Sequence, residues 1–145
     1  PFTYSHYDSV SNYTHYNQPL AHPLGANFWE LIGIVNYQPA PRWHILGRII
    51  YYNQGLDSAG INFGANIFRA YTTRTSNDGF TIAGGRKATC FNGYIQVSYE
   101  FRQNLMFDIS LLQRNYSLAD IPGNTNTTMI SAGVRLNMFS RNYDF

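Results

Sequence analysis

Apolar side chains recur at every second residue in five stretches of this chain, and no stretch shows the 3.6-residue spacing of an amphipathic helix. A period of two places alternate side chains on opposite faces of an extended strand. The pattern predicts strands at about 28–38, 43–52, 91–101, 105–115 and 128–139, with a partial sixth at Phe2–Tyr7. In the first, Trp29, Leu31, Gly33, Val35 and Tyr37 share one side; in the second, Trp43, Ile45, Gly47, Ile49 and Tyr51 do. The third carries Phe91, Ile95, Val97, Tyr99 and Phe101 on its apolar side, and the fourth Leu105, Phe107, Ile109 and Leu111. In the fifth the even-numbered residues Ile130, Ala132, Val134, Leu136 and Met138 do the same. The charges within these stretches, Glu30, Arg48, Glu100, Asp108, Arg114 and Arg135, all fall on the opposite side. Leu46, Ile50 and Tyr52 make the polar side of the second strand the least clean.

Turns set an expected register, because directly opposed residues of an antiparallel pair lie on the same face. A turn at Gln38–Arg42 would oppose Tyr37 to Trp43, Val35 to Ile45, Gly33 to Gly47, Leu31 to Ile49 and Trp29 to Tyr51. A turn at Arg102–Asn104 would oppose Phe101 to Leu105, Tyr99 to Phe107, Val97 to Ile109 and Ile95 to Leu111. The remaining segments, about 8–27, 53–90 and 117–127, read as long polar loops gathered at the other end of the strands.

Composition removes several alternatives. Charged residues are 12% of 145, against roughly 25% in an average soluble domain, while aromatics reach 17%. Such apolar content with a net charge of +2 excludes a disordered chain. Ten Lys and Arg, unclustered, exclude a nucleic-acid patch. Cys90 has no second cysteine to pair with. The best apolar run, Leu31–Val35, falls far short of the ~20 residues of a membrane helix. The first residue, Pro1, is neither an initiator Met nor the start of a signal peptide, which reads as a mature or internal piece.

Aromatic placement favours one all-β architecture. Tyr37 and Trp43 stand at one end of the first hairpin's apolar face, Trp29 and Tyr51 at the other, with only Leu, Ile, Val and Gly between. Eight residues at ~3.3 Å, tilted by ~40°, project to about 20 Å, close to the apolar band of an outer-membrane barrel with its two aromatic girdles. Tyr and Trp suit that border because the ring is apolar and its OH or NH stays wet. The expected fold is therefore an antiparallel transmembrane β-barrel. Its girdle is Trp29, Tyr37, Trp43, Tyr51, Tyr99 and Phe101. Its lipid-facing residues include Leu31, Val35, Ile45, Ile49, Ile95, Val97, Phe107, Ile109, Ile130, Val134 and Leu136, and Glu30, Arg48, Glu100, Asp108, Arg114 and Arg135 line the lumen. A Glu30–Arg48 contact is expected inside. Membrane barrels start at about eight strands, so residues 1–145 read as the C-terminal part of a larger one. A small complete barrel would instead need strands within Asp57–Thr89, for example around Ile61–Arg69. The soluble alternative is a secreted β-sandwich carbohydrate-binding module, which alternates in the same way. A third reading is a channel or a segment of a TonB-dependent transporter.

Three stretches resemble a known family: Tyr16–Phe28 (YNQPLAHPLGANF), Tyr51–Asp57 (YYNQGLD) and Gly133–Phe145 (GVRLNMFSRNYDF). They are similar to the C-terminal portion of Wzi-type capsule-assembly outer-membrane barrels of Bacteroidetes, a group that the gliding-motility accessory protein RemB resembles. The resemblance implies a barrel of about eighteen strands. It also implies a role in capsular or surface polysaccharide attachment, or as an accessory subunit of a motility or secretion complex. Its membrane would be the bacterial outer membrane, with the C-terminus in the periplasm and the long loops outside. The terminal Tyr143 and Phe145 resemble the signal by which such barrels are inserted. Their odd parity conflicts with the even apolar face of the fifth strand unless a bulge falls near Phe139–Asn142.

No catalytic, metal or cofactor constellation emerges. His6, His15, His22 and His44 lack metal-site spacing, Gly84–Lys87 lacks the spacing of a phosphate loop, and Asn77–Gly79 reads as a turn. The chain reads as a non-enzyme without cofactor or metal, whose partners are outer-membrane lipid and a surface polysaccharide or other membrane subunits. Tyr7, Tyr13, His15 and Tyr16 form the most suggestive loop, since aromatic rings beside hydrogen-bonding groups suit either a glycan or a protein.

Overall fold

The computed structural model describes residues 2–58, 60–74 and 76–137. The protein is all-β, with antiparallel sheets. A two-stranded hairpin, β1 (Thr14–His15) and β2 (Gln18–Pro19), precedes a five-stranded meander. The meander comprises β3 (Phe28–Ala40), β4 (Trp43–Leu56), β5 (Arg86–Arg102), β6 (Leu105–Leu118) and β7 (Asn124–Leu136), each bonded to its sequence neighbour. Its edges are β3 and β7, so the sheet is open.

Two-residue turns, Pro41–Arg42 and Gln103–Asn104, close one end. Segments 2–27, 57–85 and 119–123 lie at the other. Accordingly β3, β5 and β7 run from the loop end to the turn end, and β4 and β6 run back. The strands outlast their apolar alternation by several residues at the loop end. The β6–β7 connection shrinks from the expected 117–127 to 119–123, and the 53–90 loop to 57–85.

Register departs from expectation in the first hairpin. Tyr37 opposes Ile45, Val35 opposes Gly47, Gly33 opposes Ile49, Leu31 opposes Tyr51, and Trp29 opposes Asn53. The strands continue to Ala40 and Trp43, with an irregularity between Tyr37 and Ala40, so the ladder sits two residues away from the predicted one. A two-residue slip preserves parity, so Trp29, Leu31, Gly33, Val35 and Tyr37 still share one face with Ile45, Gly47, Ile49 and Tyr51. In the second hairpin Tyr99–Phe107, Val97–Ile109 and Ile95–Leu111 pair as expected. Leu105 opposes Arg102 instead of Phe101, because a bulge between Glu100 and Arg102 leaves Phe101 as the extra residue.

The partial strand expected at Phe2–Tyr7, and the alternative one around Ile61–Arg69, are irregular structure. Phe2–Tyr7 turns back on itself, with Ser5 N–H donating to the Phe2 carbonyl and Tyr13 N–H to that of Tyr4. Residues 61–69 contribute only the isolated bridges Ser58–Ile61 and Asn62–Arg74. Met138, Phe139 and the terminal Tyr143 and Phe145 lie outside the described residues.

Burial gathers mostly in the loops and in the adjoining loop-end portions of β4 and β5. Among the described residues Ala26, Ile67, Ala88 and Cys90 form the buried apolar set, with Asn12, Asn27, Asn53, Asn62 and Ser98 as buried polar companions. Asn27 ties three segments together: its Nδ2 donates to the carbonyls of Gly55 and Gly84, both at 2.8 Å, and its carbonyl accepts from Gly55 N–H. Gly55 must lack a side chain, because a Cβ there would stand 1.9 Å from the Gly84 oxygen.

Candidate functional site

The apolar face of the meander is one uninterrupted surface. Paired rows cross all five strands: Tyr37, Ile45, Val97, Ile109 and Ala132 form one, and Val35, Gly47, Ile95, Leu111 and Ile130 the next. Leu31, Ile49, Phe107, Val134 and Leu136 lie on the same side. No second layer packs on it among the described residues. Leu31 is 63% exposed, Ile109 63% and Ile130 75%.

Aromatic rings border this surface over β3–β6 at the turn end and over β3–β5 at the loop end. Trp43 lies over Tyr99, centroid to centroid 4.8 Å, and Phe101 meets Phe107 edge-on at 6.0 Å, both at the turn end beside Tyr37. At the loop end Trp29 touches Tyr51 diagonally at 5.4 Å. Beyond the border the same face turns polar. Thr89 Oγ1 donates to Asn53 Oδ1 at 2.6 Å, Gln113 Nε2 donates to Asn115 Oδ1 at 3.0 Å, and Thr128 donates to Gln113.

The border crosses the sheet obliquely. At the loop end the apolar face stops at Trp29 on β3, Tyr51 on β4, Phe91 on β5, Leu111 on β6 and Ile130 on β7. The paired row through Trp29 runs Asn53, Thr89, Ser117 and Asn124, so Ile130 lies six residues further along β7 than the residue registered with Trp29. Six residues span about 20 Å and four strand spacings about 19 Å, which inclines the strands to the belt normal by roughly 45°. Tilts of roughly 35–45° are those of transmembrane barrels.

The opposite face is polar over β5–β7. Tyr94 OH donates to Gln96 Oε1 at 2.7 Å, Gln96 Nε2 donates to Ser98 Oγ at 3.1 Å, and Arg135 Nε donates to Asp108 Oδ2 at 3.0 Å. Arg48 lies over the Tyr94 ring and Arg114 over that of Tyr116. The expected Glu30–Arg48 contact does not form. Arg48 is registered with Ile34, two rows from Glu30, whose carboxylate meets His22 Nε2 at 3.1 Å instead. Glu100 accepts from Asn104 N–H in the turn. Over β3 and β4 this face is mixed, with Ile32, Ile34, Leu46 and Ile50 set among Glu30, Asn36, His44 and Arg48. A cavity of about 500 Å³ near the turn end is walled by Asn36, Gln38, His44, Gln96, Ser98 and Arg135. Residues of β3, β4, β5 and β7 line this concavity on the polar face, called the concave side below.

The loops fold onto the loop end of the concave side. His22 and Leu24 bond to Glu30 and Gln54, both of which point to that face. Tyr7, Tyr13, His15 and Tyr16 do not converge on one site: Tyr7 packs on His6, Tyr13 stacks on Tyr4, and His15 packs on Tyr16. Tyr16, 89% exposed, and Asn17 both have positive φ in the β1–β2 turn. A cavity of about 320 Å³ between Tyr4, Asn27, Phe28, Phe80 and Ile82 was not legible in sequence, because its walls come from three distant segments. No family model, curated protein or solved structure matches the chain.

Proposed function

We propose that the chain is part of an outer-membrane β-barrel, non-enzymatic, whose loops face outside the cell and whose two-residue turns face the periplasm. The observation that carries this reading is the oblique, aromatic-bordered apolar belt, which nothing among the described residues covers. A Val, Leu or Ile side chain left in water forgoes roughly 1.5–3 kcal/mol, and a continuous apolar face on this scale marks an interaction surface. Lipid satisfies it along the whole belt. No helix among the described residues is long and apolar enough to cross a membrane; a barrel crosses with strands. On the concave side Arg48, Asp108, Arg114 and Arg135 then line the lumen, and the loops cap its outer end.

For the task of such a barrel, the Wzi-type resemblance and the exposed β1–β2 hairpin, with Tyr16 in its turn and Tyr13 beside it, favour attachment or assembly of surface polysaccharide, or docking of another membrane subunit. The test is fractionation followed by extraction. The protein is expected in the outer membrane, released only by detergent. Recovery as a soluble, monodisperse species without detergent would sink the proposal. For the loops, Tyr16→Ala with Tyr13→Ala is expected to lower retention of surface polysaccharide while leaving insertion intact; unchanged retention assigns the loops to a protein partner.

A further inference from the structure

Both edges of the meander are long and undefended. Over thirteen residues β3 has Glu30 as its one charge and a proline, Pro39, only beside the turn; β7 has Arg135 as its one charge and no proline. Free edges are usually blunted by lysine, proline, bulges or short length, because each offers a row of unpaired N–H and C=O groups. In lipid those groups must be paired.

Strand direction decides what can pair with them. β3 and β7 run the same way, from loop end to turn end, because the meander has an odd number of strands. They therefore cannot meet each other antiparallel, either within one chain or between two copies inserted in the same sense. Two copies joined through the same edge, β3 to β3 or β7 to β7, do pair antiparallel, but the dyad inverts one copy and places its long loops on the wrong side of the membrane. A second copy is excluded at both edges.

We infer that the sheet is completed by an odd number of further strands, three at the fewest, from polypeptide outside these 145 residues. The strands flanking β3 and β7 both run from turn end to loop end. The inference rests on the barrel reading above and on the even, all-antiparallel construction of bacterial outer-membrane barrels, which have about eight strands or more. The belt also sets the register of the newcomers. The border falls toward the turn end from β3 to β7, so the strand beside β3 carries its apolar segment nearer the loop end than β3 does. The strand beside β7 carries its segment nearer the turn end.

The test is photo-crosslinking of the whole protein in its native outer membrane, with p-benzoylphenylalanine replacing Ile32 or Asn36 on β3, and Thr127 or Ser131 on β7. Membrane fractionation of each variant is the independent check on the barrel reading: a soluble protein overturns that reading itself. For protein in the membrane, both edges are expected to label peptides outside residues 1–145. The Ile32 probe should reach a partner residue later in sequence than the Asn36 probe does, and Thr127 later than Ser131, as antiparallel neighbours require. The same order at both probes, a β3–β7 crosslink, a crosslink to the matching strand of a second copy, or no crosslink beyond β4 and β6 would each overturn the inference while leaving the membrane location standing.

Discussion

Val97 and Ile109 oppose each other directly across β5 and β6, in a paired row that also holds Tyr37, Ile45 and Ala132. Ile109 lies within the apolar segment of β6, Leu105–Leu111, and Ser110 beside it points to the concave side. In a bilayer, Ile109→Arg is expected to lower folding stability by about 2–4 kcal/mol, as a cation near the midplane does, and Ser110→Arg by much less. Reversible urea unfolding in lipid vesicles measures both. Equal sensitivity would refute the facing of β6.

The Asn27 amide offers a second test, at the loop end. It makes two 2.8 Å bonds to carbonyls from different segments, and its backbone has a positive φ of 58°. Asn27→Ala leaves the Gly55 and Gly84 carbonyls without their donor and strains the backbone, for a loss of about 2–3 kcal/mol. Asn27→Gly removes the bonds without the strain and is expected to fall between Ala and wild type. Protease sensitivity of segment 57–85 reports the order.

Two glycines of the meander separate crowding from propensity. A Cβ at Gly55 collides with Gly84, Ala83 and Asn27, whereas one at Gly33 meets nothing within 4 Å. Gly55→Ala is expected to cost about 1–3 kcal/mol and loosen the loop cap. Gly33→Ala is expected to be neutral or to stabilise by about 0.5–1 kcal/mol, as the strand loses a flexible residue. The same unfolding assay distinguishes them.

The Arg135–Asp108 pair is half open to solvent on the arginine side, with side-chain exposures of 47% and 21%. Such pairs contribute little, so a double-mutant cycle on Arg135→Gln and Asp108→Asn is expected to give a coupling of about 0.2–1 kcal/mol. A coupling above about 2 kcal/mol would mean that the inner wall is drier than an open lumen.

The thiol of Cys90 is buried between Tyr52 on β4 and Tyr116 on β6, its directly opposed neighbours. A maleimide is expected to leave it unlabelled in the folded protein and to label it fully after denaturation. Rapid labelling of the native state would show that the loops do not cover this part of the concave side.

Much of this architecture is legible from alternation alone. Period-two runs locate the five meander strands, and parity assigns each of Leu31, Ile45, Val97, Ile109 and Val134 to one face whether or not the register is right. That is why the two-residue slip in the first hairpin left the faces intact. Strand ends were less legible. Residues such as Asn53, Thr89, Ser117 and Asn124 pair through their backbones beyond the belt, where side-chain polarity no longer alternates. The side-chain partner of Glu30 is not legible for a related reason: His22 arrives from a loop whose path no periodicity describes.

The sequence by itself determined which side chains share a face, because a strand's period of two is a local property of the backbone. Only the tertiary structure decided how far each strand slides against its neighbour. That sliding depends on bulges, turn lengths and the hydrogen-bonded ladder, none of which is local. It is also what turns five separate apolar stripes into one oblique belt, and leaves two co-directional edges that the five strands cannot satisfy among themselves.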